Sequence, residues 1–195
     1  MARPRGISDQ RLLDAAAAVT GRVGPGFTLA QVAAAAGVAV GTVSNRFGSK
    51  LGLLKALSRS TTERVVAMMR DDAERAADPV TGLRTSAVSV FSWLGDAEEA
   101  ANHLGQLGVD IGDPELRELL GEHFSAIEAE LRRQLRTADL PSAPSPERAA
   151  RVLVAVVNGI SLDWSIRPSG PLADRLAEDI DAVLDGWRRE RSGST

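Results

Sequence analysis

Apolar residues along this chain recur three and four positions apart through most of its length, and they hardly ever alternate one by one. From Asp9 to about Val23, the residues Leu12, Leu13, Ala16, Ala17 and Val19 line one side of a helix that the turn GRVGPGF ends. After Gly48 and Ser49 a new helix starts at about Lys50. It runs through Leu53, Leu54, Leu57 and Val66 towards Ala77, long enough to connect two domains. Asp78-Pro79 offers an N-cap and a pre-set first turn for a helix to about Leu94. A short helix is predicted from Ala97 to Leu107, with GVDIGDP breaking the chain after it. Asp113-Pro114 restarts it, and Leu116, Leu119, Leu120, Phe124, Ile127, Leu131 and Leu135 form an apolar stripe through a strongly charged helix.

LPSAPSP is the clearest loop, and Ser145-Pro146 caps the helix that follows. Its stretch VLVAVVNGISL is apolar on nearly every side, which predicts burial all round. A last helix from about Pro171 to Arg191 carries Leu172, Leu176, Ile180, Val183, Leu184 and Trp187 on one stripe. Only seven aromatic residues, few Val/Ile/Thr alternations and about nine helical segments predict an all-α chain.

The segment from Phe27 to Lys50, FTLAQVAAAAGVAVGTVSNRFGSK, is the most specific. Thr28 and Gln31 have the spacing of a capping box, and Phe27 and Val32 that of the matching hydrophobic staple. Ala33 leaves room for a crossing helix, Gly37 permits a left-handed turn residue, and Val43 plugs a second helix into the core. These offsets of four and six suit a helix-turn-helix. The run Val40 to Phe47 then supplies a recognition helix, with Gly41, Thr42, Ser44, Asn45 and Arg46 able to face a major groove.

Charge supports this reading. Residues 1–60 hold eight basic and two acidic side chains, a formal +6, which leaves −9 for the remainder of a chain of net −3. The basic end can release counterions from DNA phosphates while the acidic end is repelled. Residues 1–8 read as a flexible basic arm in which Arg3 and Arg5 can reach phosphates or a minor groove. With no cysteine, disulfides and thiolate chemistry are excluded. No signal peptide is visible, and no stretch reaches roughly 18 uninterrupted apolar residues, so no membrane span and a cytoplasmic location are expected.

On these residues the chain resembles TetR-type transcriptional regulators over its whole length, most specifically across residues 8–57, where GVAVGTVSNRFGSKLGLL joins recognition helix to connector helix. The resemblance implies a three-helix DNA-binding domain over residues 1–49 and a helical ligand-binding and dimerisation domain over residues 50–195. It implies that Thr28 touches phosphate, Gly41 allows close approach, Thr42, Asn45 and Arg46 face the groove, and Lys50 holds backbone phosphate. It also implies a homodimer built from the two C-terminal helices. On these the interface candidates are Val152, Ala155, Val156 and Gly159, then Leu176, Ile180, Val183, Leu184 and Trp187. The chain departs from the family where Ser44 replaces an aromatic residue, at Asn45, and where Leu51 replaces an acidic one, so operator contacts can be distributed differently.

The segment TLAQVAAAAGVAVGTVSNRF is also similar to the headpiece of LacI-type repressors. Those proteins begin at once with the helix-turn-helix and continue into an α/β domain, which this chain lacks. The local likeness still points to Thr42, Ser44 and Asn45 as DNA contacts, with Asn suited to adenine and Arg46 to guanine or phosphate.

No catalytic or metal motif is present. His103 and His123 are the only histidines; Glu122 and His123 point about 100° apart on a helix, and no second histidine follows three or four residues on. No enzyme activity, metal or cofactor is therefore expected. Trp93, His103, Leu107, Phe124, Asn158 and Trp164 combine apolar walls with a few polar groups, as an effector pocket requires. Asn158 has the alternative of pairing across a dimer, where Ala155 and Gly159 on the same helix permit close crossing. The expectation is a homodimeric repressor released from operator DNA by a small molecule. The alternative is a DNA-binding dimer without such an effector, whose C-terminal domain only dimerises or contacts a protein.

Overall fold

The computed structural model describes residues 7–91 and 94–189. The described residues are helical, with no strand among them: α1 (Asp9–Val23), a 3-10 turn (Gly24–Gly26), α2 (Leu29–Ala36), α3 (Val40–Phe47), α4 (Lys50–Arg75), α5 (Pro79–Ser89), α6 (Ala97–Gly112), α7 (Pro114–Leu135), α8 (Pro146–Ile166) and α9 (Leu172–Arg188). Arg3 and Arg5 of the basic arm and Trp93 lie outside the described residues.

Local chemistry sets most helix starts. The Ser8 hydroxyl accepts from the Arg11 amide at 3.3 Å, Asp78 accepts from the Val80 and Thr81 amides at 2.9 and 3.0 Å, and Asp113 from those of Glu115 and Leu116 at 2.9 and 3.1 Å. Each satisfies an orphan donor of a first turn. Pro79, Pro114 and Pro146 follow their caps directly, where a missing N–H costs nothing and φ is pre-set.

Two boundaries differ from expectation. α5 stops at Ser89 rather than near Leu94, where Val88, Ser89 and Val90 offer weak helix propensity. α6 does not break at GVDIGDP; it runs through Gly108 to Gly112 and ends only before Asp113-Pro114. Glycine lowers helix stability by about 1 kcal/mol but keeps its amide in the ladder, so proline is the effective stop.

The chain divides into two compact units. One comprises Met1–Thr61 with Glu98–Leu120, the other Thr62–Ala97 with Gly121–Thr195. In the first, α1, α2 and α3 close around Leu12, Ala16, Val32 and Val43, all fully buried, with Phe27, Leu53, Leu116 and Leu119 in the same cluster. α6 is tied to this core by the Asn102 amide, which donates to the Gly21 carbonyl at 2.8 Å.

In the second unit α5, α8 and α9 pack on one another around Leu83, Leu153, Leu176, Ile180 and Leu184. Arg84 grips Asp181 with two bonds, joining α5 to α9. Where α4 meets α7, the Glu130 side chain is 2% exposed. It accepts from Arg133, Arg70 and the Gln134 amide, the pairing that a buried carboxylate requires.

The expected all-round burial of α8 is not found. Leu153, Val154, Val157, Ile160 and Trp164 face the core, while Val152, Ala155, Gly159, Leu162 and Ile166 are exposed. α8 is also the one described helix long and apolar enough to cross a membrane by length and composition. Its apolar residues fall instead on two opposite faces of a helix packed in a helical bundle, and only one of those faces is covered within the chain.

Candidate nucleic-acid interface

The helix-turn-helix begins at Thr28, whose extended backbone and side chain cap α2. The Thr28 hydroxyl accepts from the Gln31 amide at 3.3 Å, and the Gln31 carboxamide oxygen accepts from the Thr28 amide at 2.8 Å. Two orphan donors are thus satisfied reciprocally, and Phe27 and Val32 are both buried beneath as the staple. Gly37 ends α2 at φ 72°, ψ 36°, where a side chain would be strained. Its amide bonds Ala34 O at 3.2 Å and the Val38 amide bonds Ala33 O at 2.9 Å, closing the helix end and turning the chain into α3.

α3 is divided sharply between its faces. Val43 is fully buried in the core, while Gly41, Asn45 and Arg46 are exposed and Thr42 and Ser44 half-buried. A Cβ at Gly41 would meet nothing within 4 Å, so no neighbour in the chain requires glycine there. Open space at this position lets an external surface approach the backbone.

Three expected DNA contacts have additional partners. Arg46 pairs with Asp9 in the first turn of α1, a pair about half exposed on both sides. The Thr28 hydroxyl is engaged in the capping box. Lys50 Nζ donates to the carbonyls of Pro25 and Phe27, the latter at 2.7 Å, and stands 4.2 Å from the centre of the Phe27 ring. Leu51 packs against the head's core. Asp9 as the partner of Arg46 was not legible from spacing, since 37 residues separate them.

The structure brings together two of the effector-pocket candidates. Phe124 and Asn158 line one cleft with Ala87, Val90, Phe91 and Val157, and its free space is about 10 Å³, room for about one water. Asn158 is the polar residue of that lining; its amide donates to Val154 O at 2.8 Å on its own helix. His103 and Leu107 belong to α6 in the first unit and do not line this cleft. Trp164 is buried with its indole N–H on Gly170 O at 3.0 Å, so it packs the α8–α9 turn rather than a pocket.

Burial holds the pKa of both histidines below the ordinary value; Glu99 partly offsets this for His103. His123 Nδ1 lies 2.9 Å from the Thr62 hydroxyl, and no group of metal-binding side chains occurs among the described residues.

The interface candidates on α9 need correction. Leu176, Ile180 and Leu184 are at most 1% exposed within the single chain, packed against α5 and α8, and cannot also meet a partner. Val183 and Trp187 are half-buried. On α8, Val152, Ala155 and Gly159 are exposed and Val156 is half-buried, and the same face continues through Leu162 (48% exposed) and Ile166 (69%). Their spacing of three, four, three and four residues was the available signal.

Known proteins share this fold. Residues 12–57 match the family described as bacterial regulatory proteins, tetR family. Residues 108–188 match the one described as BetI-type transcriptional repressor, C-terminal. The chain is similar to the HTH-type transcriptional regulator BetI of Burkholderia cenocepacia, 31% identical over 198 residues that cover 92% of this chain and 95% of that protein. The BetI of Vibrio parahaemolyticus is 25% identical over 183 residues, 92% of this chain and 91% of that one.

Among solved structures, a transcriptional regulator from Rhodococcus sp. RHA1 superimposes with a TM-score of 0.72 at 24% identity, covering 95% of this chain and 100% of that one. A TetR transcriptional regulator from Legionella pneumophila gives 0.75 at 16% identity, covering 93% and 99%.

Proposed function

The chain belongs to the TetR family of bacterial regulatory proteins and is a DNA-binding transcriptional regulator, and from that premise we propose that it acts as a homodimeric repressor released by a small molecule. The observation that carries the DNA-reading assignment is the uncovered polar face of α3, with Gly41, Asn45 and Arg46 exposed behind a fully buried Val43. In this reading Thr42, Asn45 and Arg46 face the major groove, Asn45 and Arg46 on base edges, Ser44 touches DNA beside them, and Thr28 meets the phosphate backbone. Arg46 must leave Asp9 to do so, so part of its interaction with DNA replaces an existing ion pair. The functional division falls at residues 49 and 50, where the DNA-facing residues end. The packing unit is larger, since it takes in the start of α4 and α6.

Dimerisation is assigned to the exposed face of α8, because a contiguous apolar stripe on a helix needs cover. The effector site is assigned to the cleft of Phe124 and Asn158. Its lining is otherwise apolar and uncharged, which favours a small, largely apolar guest with one hydrogen-bonding group. Effector pockets need about 300–1,000 Å³, so ligand entry would have to part α5, α7 and α8. That movement supplies the differential affinity that a release mechanism needs.

The near-absence of free space also favours a second reading, in which the C-terminal unit only dimerises or contacts a protein. Thermal-shift screening with apolar and cationic compounds separates the two, since a ligand of the folded state raises the melting temperature by mass action. The DNA-reading assignment itself is tested by titrating the protein onto DNA flanking its own gene and onto random DNA of equal length, at two salt concentrations. Selective, salt-sensitive binding is expected; equal binding to both would count against it.

A further inference from the structure

α3 carries a single cation. In VGTVSNRF only Arg46 is charged, and it stands exposed in the last turn of the helix. Residues 1–60 hold eight basic side chains and two acidic ones, Asp9 and Asp14. One of those two carboxylates, Asp9 in the first turn of α1, is the partner of Arg46. Asp14 accepts along its own helix from the Gln10 amide at 2.8 Å.

Asp9 is not needed to cap α1. The Ser8 hydroxyl fills that role by accepting from the Arg11 amide. A carboxylate in a first turn gains a little from the helix dipole, yet at the basic end of the chain it opposes the approach of a polyanion. α1 and α3 are packed on one core through Leu12, Ala16 and Val43. Their backbones therefore present Asp9 and Arg46 to each other, and only side-chain freedom is lost when the two pair.

How the pair acts follows from its strength. Both side chains are about half exposed, and a pair of that kind outweighs its separated form by about fivefold at most. A bidentate contact from arginine to guanine discriminates by roughly 5–150-fold. A matching base thus takes Arg46 from Asp9. The complex nevertheless forms from the fraction of free protein in which the pair is open, as little as roughly one molecule in six, and apparent affinity falls by that fraction. A phosphate on unmatched DNA is worth only a few-fold across the physiological range of salt. It leaves Arg46 partly with Asp9, so binding to unmatched DNA is weakened less.

We propose that Asp9 is an autoinhibitory partner of Arg46, an internal competitor that weakens the operator complex and narrows its margin over unmatched DNA. The proposal rests on the base-reading role of Arg46. Arg46→Ala in the otherwise unaltered protein tests that role separately, on a duplex recovered from a random pool and on a scrambled one. Lost preference for the recovered duplex supports the role; equal losses on both would overturn it, and this proposal with it.

The proposal itself is tested by a double-mutant cycle of Asp9→Asn and Arg46→Ala, read as affinity for the two duplexes at one salt concentration. Asparagine keeps the size of the side chain and removes its charge. Autoinhibition predicts that Asp9→Asn tightens binding to the recovered duplex by about two- to fivefold beyond its effect in the Arg46→Ala background, and to the scrambled duplex by less. An equal gain with and without Arg46 would reduce Asp9 to a distant charge and overturn the proposal. Weaker binding in Asp9→Asn would also overturn it, since Asp9 would then support Arg46 within the complex. So would a larger gain on the scrambled duplex, because a competitor in the free protein costs the tighter complex more. Far-UV circular dichroism establishes that each variant is folded, and Asp9→Ala carries the cycle if the asparagine variant is not.

Discussion

α3 and α8 each turn one side of a helix out of the chain's own core, and the two sides differ in kind. α3 exposes Gly41, Asn45 and Arg46, short or hydrogen-bonding groups in the basic part of the chain. α8 exposes Val152, Ala155, Leu162 and Ile166, which offer a partner almost nothing but apolar surface. The first face suits a hydrated polyanion whose affinity depends on salt. The second suits a dry partner of matching shape, for which burial of apolar area supplies the driving force. An uncovered face therefore carries the chemistry of its partner, and it is this difference that supports the proposal of DNA at one end of the chain and a second copy at the other.

The comparison can be broken most severely on α8. Replacing both Leu162 and Ile166 by glutamate should convert the dimer to a monomer in light scattering. Operator affinity should then fall on the order of 10²–10⁴-fold, because two linked half-sites become two separate ones. A dimer that survives would remove α8 from the interface. Leu184→Ala or Leu176→Ala, buried in the same unit, should cost about 2–5 kcal/mol in denaturant unfolding and leave the oligomeric state of the folded protein unchanged.

On α3, Asn45→Ala and Arg46→Ala should each weaken operator binding by roughly 1–3 kcal/mol and relax base preference. Equal losses on operator and random DNA would contradict their assignment to base reading. Thr28→Ala removes a cap from α2 and should cost about 1 kcal/mol of stability in thermal unfolding.

The smallest effects come from pH. Burial holds His123 below its ordinary 6.5. For Glu130 burial works the other way, but bonds from Arg133, Gln134 and Arg70 outweigh it and hold the carboxyl below 4.5. In both cases the folded state binds fewer protons than the unfolded chain. The stability these groups contribute is therefore present above the ordinary pKa and is lost as pH falls below it and through the folded value. Denaturant titrations should show stability declining below about pH 6.5 and again below about pH 4.5. His123→Phe should reduce the first decline, to which His103 also contributes, and Glu130→Gln should reduce the second. An unchanged profile in either variant would dissociate the residue from that step.

How far the fold was legible follows the range of the interactions. α1 and α3 begin and end where caps, glycines and apolar spacing within a few residues predict, and the capping box of Thr28 and Gln31 is present. Gly37 takes the left-handed conformation that the turn requires. Where the deciding contact is distant, the sequence was silent. Asp9 lies 37 residues from Arg46, and Pro25 lies 25 residues from Lys50, so neither pair leaves a periodic trace.

α8 failed for a different reason. A helix with apolar residues on two sides looks the same whether both are buried in one chain or one waits for another, and periodicity does not name the partner. The family resemblance implies an interface on α9 without saying which side of the helix forms it, and Leu176, Ile180 and Leu184 lie on the side that α5 and α8 of the same chain cover. Residue type alone points His103 and Leu107 towards a pocket; they belong to the same unit as the head, and the cleft of Phe124 and Asn158 is lined without them.

The central claim, that one uncovered face meets DNA and the other a second copy, is tested most directly by sedimentation of the protein with a duplex recovered by selection. The account predicts a complex of two chains on a duplex whose preferred sequence is a two-fold palindrome, because symmetric α3 helices must read symmetric half-sites. A single chain bound to one unrepeated site would contradict it.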